Sequence, residues 1–92
     1  IIKLKNKKLS LKLKKELLKF KISTKILPEA YTWHFASTWS HIAELKKKYK
    51  NLEKNFLKSK KIIEKCVSIP IFIKMNKGLI NKINLAVKNT LL

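Results

Sequence analysis

Apolar positions recur along the middle of the chain at alternating intervals of three and four: Ile42, Leu45, Tyr49, Leu52, Phe56, Ser59, Ile63 and Cys66. This is the a/d seam of an amphipathic helix, weakened at Ser59 and Cys66. Phe35 continues it one heptad upstream, and neither glycine nor proline interrupts the chain between Pro28 and Cys66. The pattern predicts one long central helix over about 39–65, with room to extend back to Pro28. That proline, followed by Glu29, suits a first helical turn. At 1.5 Å per residue such a helix would be about 40 Å long.

The flanks read differently. In residues 1–25, IIKLKNKKLSLKLKKELLKFKISTK, alternation at Leu9, Leu11 and Leu13 and again at Leu18, Phe20 and Ile22 has the period of a strand. Leu, Lys and Glu favour helix, however, and β-branched residues are scarce, so helix over about 9–22 is the preferred reading. It would place Leu9, Leu13, Leu17 and Phe20 on one side and Leu11, Leu18 and Ile22 on the other, and so would need two neighbours. The residues before it form a basic arm that only a partner would order. Residues 66–77, CVSIPIFIKMNK, read as extended, because Pro70 pushes its predecessor out of helical geometry and isoleucines favour strands. A turn at Asn76–Gly78 leads into Leu79, Ile80, Ile83, Val87 and Leu91, which predict a C-terminal helix over about 79–91. The expected fold is mainly α and elongated, with a basic N-terminal arm or helix (1–25) and a single small helical domain (26–92).

Charge changes this picture from a helical domain to a helical domain with a polyanionic partner. The 92 residues carry 23 lysines against five glutamates, with no arginine, aspartate or glutamine, for a formal charge of +18. Self-repulsion on that scale opposes compaction and calls for nucleic acid or an anionic membrane surface. Plotted at about 100° per residue, Lys47, Lys50, Lys54, Lys58, Lys61 and Lys65 fall within about 80° of arc, opposite the seam. No glutamate shares that arc. A cationic row of this kind suits a phosphate backbone, whose condensed counterions it displaces. The lysines of the arm, Lys3, Lys5, Lys7, Lys8, Lys12, Lys14 and Lys15, would add to the same contact. Without arginine's planar fork the chain should sit on phosphates and read little base sequence. No zinc finger, leucine-zipper basic region, aromatic RRM motif or GxxG loop is present.

One stretch escapes the lysines. Residues 30–41, AYTWHFASTWSH, hold both tryptophans and both histidines within a lysine-free window from Ile26 to Leu45. Base stacking needs aromatics beside cations; here charge is excluded, which points to core or to a protein-docking anchor. Tyr31, Trp33, Phe35 and Trp39, with the seam residues Ile42, Leu45, Tyr49, Leu52, Phe56 and Ile63, are the candidate docking and core positions. The seam is too long for this chain to cover, so the N-terminal segment and final helix would shield part of it and a neighbouring protein the remainder.

Catalysis and metal binding find no support. His34 and His41 are seven apart and remote from the single cysteine, which does not match zinc spacing. The glutamates are scattered, and one glycine cannot build a phosphate-cradling loop. Neither a cofactor nor a small-molecule substrate is expected. The apolar run Val67–Ile73 is far shorter than the roughly 20 residues that span a bilayer. A lone cysteine permits no intrachain disulfide and fits a reducing compartment. The chain begins at Ile1 without a methionine; its lysine-rich, arginine-free start does not resemble a mitochondrial presequence. Abundant Lys, Asn, Ile and Leu fit the A/T-rich codons of a low-GC gene, of the kind common in organelle genomes and some parasites. These features together point to a non-catalytic structural component of a large ribonucleoprotein. The specific expectation is a small organellar ribosomal protein, of the mitochondrial matrix for instance, touching rRNA and neighbouring proteins. The alternative is an accessory subunit of a membrane-bound organelle complex, with lysines on anionic lipid and tryptophans at the interface.

Overall fold

The computed structural model describes residues 1–26, 39 and 41–92. Its first helix, α1 (Lys7–Lys19), starts where the Asn6 side chain accepts a hydrogen bond from the Leu9 amide at 2.9 Å. Asparagine is among the best N-caps because its short amide satisfies one of the orphan N–H groups of the first turn. The helix ends in a left-handed cap. Lys21, at φ 58°, donates its amide to the Leu18 carbonyl at 2.9 Å, and Ile22 donates to Leu17 at 3.0 Å. Those are the two bonds of a Schellman motif, and they fold Ile22 back against Leu17 in the core.

Three short strands hold the chain ends together. β1 (Ile2–Lys3) and β2 (Lys25–Ile26) flank β3 (Cys66–Ser68), all antiparallel, in the order β1-β3-β2. Val67 stands opposite Ile2 on one side and Ile26 on the other. The Leu4 amide extends the first ladder by donating to the Lys65 carbonyl at 2.8 Å. The N-terminal arm thus needs no partner to be placed: Ile2–Leu4 form an edge strand, and Leu4 is buried. The arm's isoleucine and leucine gain more from the core than its lysines lose by standing close together.

The last helix, α5 (Lys77–Leu91), opens two residues earlier than the sequence predicts, because Asn76 is an N-cap and not a turn residue. Its side chain accepts from the Leu79 amide at 2.7 Å. Helices α1 and α5 run antiparallel, with Lys12 beside Thr90 at one end and Ile22 beside Leu79 at the other. The core is Leu4, Leu13, Leu17, Ile22, Val67 and Ala86, with Leu9, Phe20, Leu79, Ile83 and Val87 packed around it. Leu11 and Leu18, on the other side of α1, stay exposed. Of the two apolar sides expected of this helix, one is covered.

The fold is mainly helical and elongated, with principal extents of 50 × 29 × 15 Å and a radius of gyration of 16.1 Å. A compact chain of this length would measure about 12 Å. The central stretch is helical where the seam predicts, and it is segmented: α2 (Ala43–Lys48), α3 (Leu52–Asn55) and α4 (Leu57–Ile63). The first interruption has a local cause. Asn51 caps α3 by accepting from the Lys54 amide at 3.1 Å, which requires extended backbone at Tyr49 and Asn51. The second falls at Phe56, which ends one helix and begins the next at φ −107°, ψ 15°. The helices expected to shield the seam pack on each other instead, since Leu13 and Leu17 have a better partner in Ala86 and Val87.

Candidate nucleic-acid interface

The net charge is not spread evenly over this frame. Residues 1–26 and 65–92, which build the α1–α5 body and its sheet, contain fifteen lysines and a single acid, Glu16, for +14. Residues 27–64 contain eight lysines and four glutamates, for only +4. The positive charge therefore belongs first to the helix pair with its sheet and second to the central stretch.

On α1 the spacing does the sorting. Lys8, Lys12, Lys15 and Lys19 follow each other by four, three and four residues, so they share one side of the helix. All four are exposed. Lys8, Lys12 and Lys15 line a shallow recess of about 540 Å³ with Asn6, Leu9 and Leu11. Lys12 also ties α1 to the end of α5, its ammonium donating to the Thr90 carbonyl at 3.1 Å. Lys3, Lys5 and Lys7 are exposed around the start of α1, and Lys14 is half-buried and engaged.

The one acid of this body is neutralised in place. Glu16, nearly buried, accepts from the Lys19 ammonium at 2.6 Å and from the Asn89 amide at 3.5 Å. The Lys19 hydrogen bond holds its carboxyl below the ordinary carboxylate value. Burial opposes this; the Lys19 and Lys12 charges and the Asn89 bond assist. Because Glu16 is paired with Lys19, Lys8 and Lys15 stay uncompensated. Ser10 fixes the same helix from its buried side, its hydroxyl lying 2.7 Å from the Lys7 carbonyl and 2.9 Å from the Glu64 carbonyl.

The lysines of the central stretch divide among elements: Lys47 in α2, Lys50 in the break, Lys54 in α3, Lys58 and Lys61 in α4, and Lys65 just before β3. All are exposed except Lys65, which is half-buried. The straight row expected of one continuous helix does not carry across two breaks. The sorting of faces carries in part, with Ser59 of the seam exposed. Ile42, Leu45, Tyr49, Phe56 and Ile63 are half-buried, and Leu52 is buried. Tyr49 and Phe56 meet edge to face with centroids 6.0 Å apart, and the Lys48 ammonium sits 5.6 Å over the Tyr49 ring.

Of the aromatic island, Tyr31, Trp33 and Phe35 lie outside the described residues, as does His34. Trp39 is half-buried and its carbonyl accepts from the Ile42 amide at 3.1 Å. His41 is exposed. Among the described residues no cluster of three His, Cys, Asp or Glu side chains could hold a metal ion. Also among them, no helix is long and apolar enough to cross a membrane. Cys66 is buried, its thiol donating to the Ile62 carbonyl at 3.4 Å. Sequence reasoning missed two features: Lys19 as the end of the α1 row, and an exposed apolar loop at Ile71–Ile73. The four–three–four spacing would have found the first once α1 was read as a helix. Compared with protein-family models, curated proteins and solved structures, the chain shows no match.

Proposed function

We propose that the protein is a non-catalytic structural component of a large ribonucleoprotein, binding the backbone of structured RNA through lysines. The specific form of the proposal is a small ribosomal protein of an organelle such as the mitochondrion, held between rRNA and neighbouring proteins in the reducing matrix. The observation that carries the reading is the concentration of +14 on the α1–α5 body, with Lys8, Lys12 and Lys15 sharing one recess. Lysine is a mobile point charge, so these residues would settle on phosphates through counterion release and leave sequence to the RNA's own fold. A second reading, an accessory subunit of a membrane-bound organelle complex touching anionic lipid, rests on the exposed Ile71–Ile73 loop.

The test is a titration of the purified chain against two structured RNAs of unrelated sequence over a salt series. The expected result is a steep slope of log K against log salt, equal for both RNAs. Replacing Lys5, Lys8 and Lys15 by Gln together should reduce that slope by about 2–3, at roughly 0.7–0.9 for each phosphate no longer neutralised. Lys12 is left in place because it also holds Thr90. Replacing Lys50, Lys54, Lys58 and Lys61 should change the slope less, since glutamates already offset that stretch. A slope unaffected by either set would refute the proposal.

A further inference from the structure

Beyond β3 the chain runs through Ile69, Pro70, Ile71, Phe72 and Ile73 before Asn76 caps α5. Pro70 has no amide proton to offer a ladder, so the sheet stops and the apolar run leaves it. Ile71 is 85 % exposed, Phe72 54 % and Ile73 105 %. Single exposed apolar residues are ordinary on a protein surface, but three large ones in succession at a loop tip are not. Behind the tip, Ile1, Ile69, Met75, Ile80 and Ile83 line an open groove of about 280 Å³, which continues the apolar surface.

The surroundings carry one sign of charge. Lys21 shares a recess with Pro70, Phe72 and Leu79, Lys74 follows Ile73, and Lys77 opens α5. No acidic residue occurs anywhere from Lys65 to Leu92. We propose that residues 69–75 form an interfacial anchor that docks on an anionic lipid surface. Ile71, Phe72 and Ile73 enter the boundary between headgroups and acyl chains, while Lys21, Lys74 and Lys77 meet lipid phosphates.

Apolar side chains ringed by cations match that boundary in both of its components. RNA offers branched aliphatic side chains nothing comparable, and a second copy of the chain would bring the same lysines against each other. A projecting tip also needs no shaped pocket to receive it. The anchor lies at the end of α1 opposite Lys8, roughly 20 Å away at 1.5 Å per residue. It rests on the membrane reading given above, which it deepens, and it stands independently of the RNA reading.

Vesicles of phosphatidylcholine, alone and mixed with phosphatidylserine, provide the test. The readout is the difference in emission between a Phe72→Trp chain and its parent, since Trp33 and Trp39 are common to both. A blue shift with the mixed vesicles only, quenched by brominated acyl chains, is the expected result. Ile71→Ser with Ile73→Ser should weaken binding by about tenfold or more, from the apolar area no longer buried. Each of Lys21→Gln, Lys74→Gln and Lys77→Gln should weaken it by roughly fivefold. The two isoleucines are already in water, so their replacement leaves the core intact. Vesicle binding without a shift at position 72, or unchanged by the double serine variant, overturns the anchor. So does a shift produced by structured RNA in place of vesicles. The double serine variant should keep the parental salt slope with RNA. The Lys5, Lys8 and Lys15 variant should keep the shift with vesicles, so the two readings fail separately.

Discussion

Lys21 occupies a backbone position better suited to glycine, which allows a signed prediction about stability. At φ 58° its Cβ crowds the neighbouring carbonyl, a cost of about 1–2 kcal/mol for an L-residue in the left-handed region. Glycine removes that cost but adds freedom to the unfolded chain, worth about 0.5–1 kcal/mol in the other direction. The net expectation for Lys21→Gly is a gain of about 0.5–1 kcal/mol. Lys21→Ala is the necessary control, because it removes the same ammonium from the end of α1 while keeping the strained φ. Any favourable interaction of Lys21 with the helix dipole disappears equally in both variants. Urea denaturation followed by circular dichroism gives the difference directly, provided the slope with denaturant is unchanged. In thermal melts the glycine variant should exceed the alanine variant by several degrees, at about 4–8 °C per kcal/mol for a domain of this size. If glycine proves equal to or less stable than alanine, the left-handed cap does not set the end of α1.

Three further expectations concern the core and its polar ties. Leu17→Ala, at a fully buried position that also closes the cap, should cost about 2–5 kcal/mol in urea denaturation; a cost under about 1 kcal/mol would mean the site collapses or is not core. Ser10→Ala should cost about 1–3 kcal/mol by stripping the Glu64 carbonyl of its buried donor, and Ser10→Cys should not rescue it. Glu16 has a folded-state pKa lowered by Lys19, so its contribution is present above the ordinary carboxylate value and is lost as pH falls through the lowered one. Melting temperatures at neutral and acid pH should therefore differ less for Glu16→Gln than for the parent; an equal drop in both would show that Glu16 does not set the acid sensitivity.

How much of this was legible beforehand depends on the range over which each feature is decided. Along the seam from Ile42 to Ile63, Leu52 is buried, Ser59 is exposed and the other positions are half-buried, so periodicity reported the side turned from water without fixing how far each residue is covered. It could not foresee the interruption at Tyr49–Asn51, since an asparagine in a helical pattern reads as a weak helix residue until its side chain is seen capping Lys54. Helix in residues 7–19 was readable from Leu, Lys and Glu propensities, although its leucines alternate like a strand. The pairing of α1 with α5, and of Ile2–Lys3 with β3, joins residues more than sixty apart, and no local pattern encodes such a contact. The lysines of α1 other than Lys19 were named individually, yet their weight relative to Lys47–Lys65 became visible only when the fold gathered both chain ends into one body.

That gathering sets two demands against each other. Lys8 with Lys12, Lys12 with Lys15 and Lys15 with Lys19 are like charges one helical turn apart, and each such pair costs about 0.2–0.5 kcal/mol. One glutamate, Glu16, offsets part of that cost, through its ion pair with Lys19 and the nearby Lys12 charge. The core that must outweigh this repulsion is small, with Leu4, Leu13, Leu17, Ile22, Val67 and Ala86 at its centre. A polyanion laid along α1 cancels the repulsion without touching the core, and a ligand that binds only the folded chain stabilises it by mass action. On the RNA-binding proposal, bound RNA would add to the stability that this core supplies. The proposal accordingly predicts that the chain melts at a higher temperature with structured RNA than without it, and an unchanged melting temperature would count against a polyanion on this row.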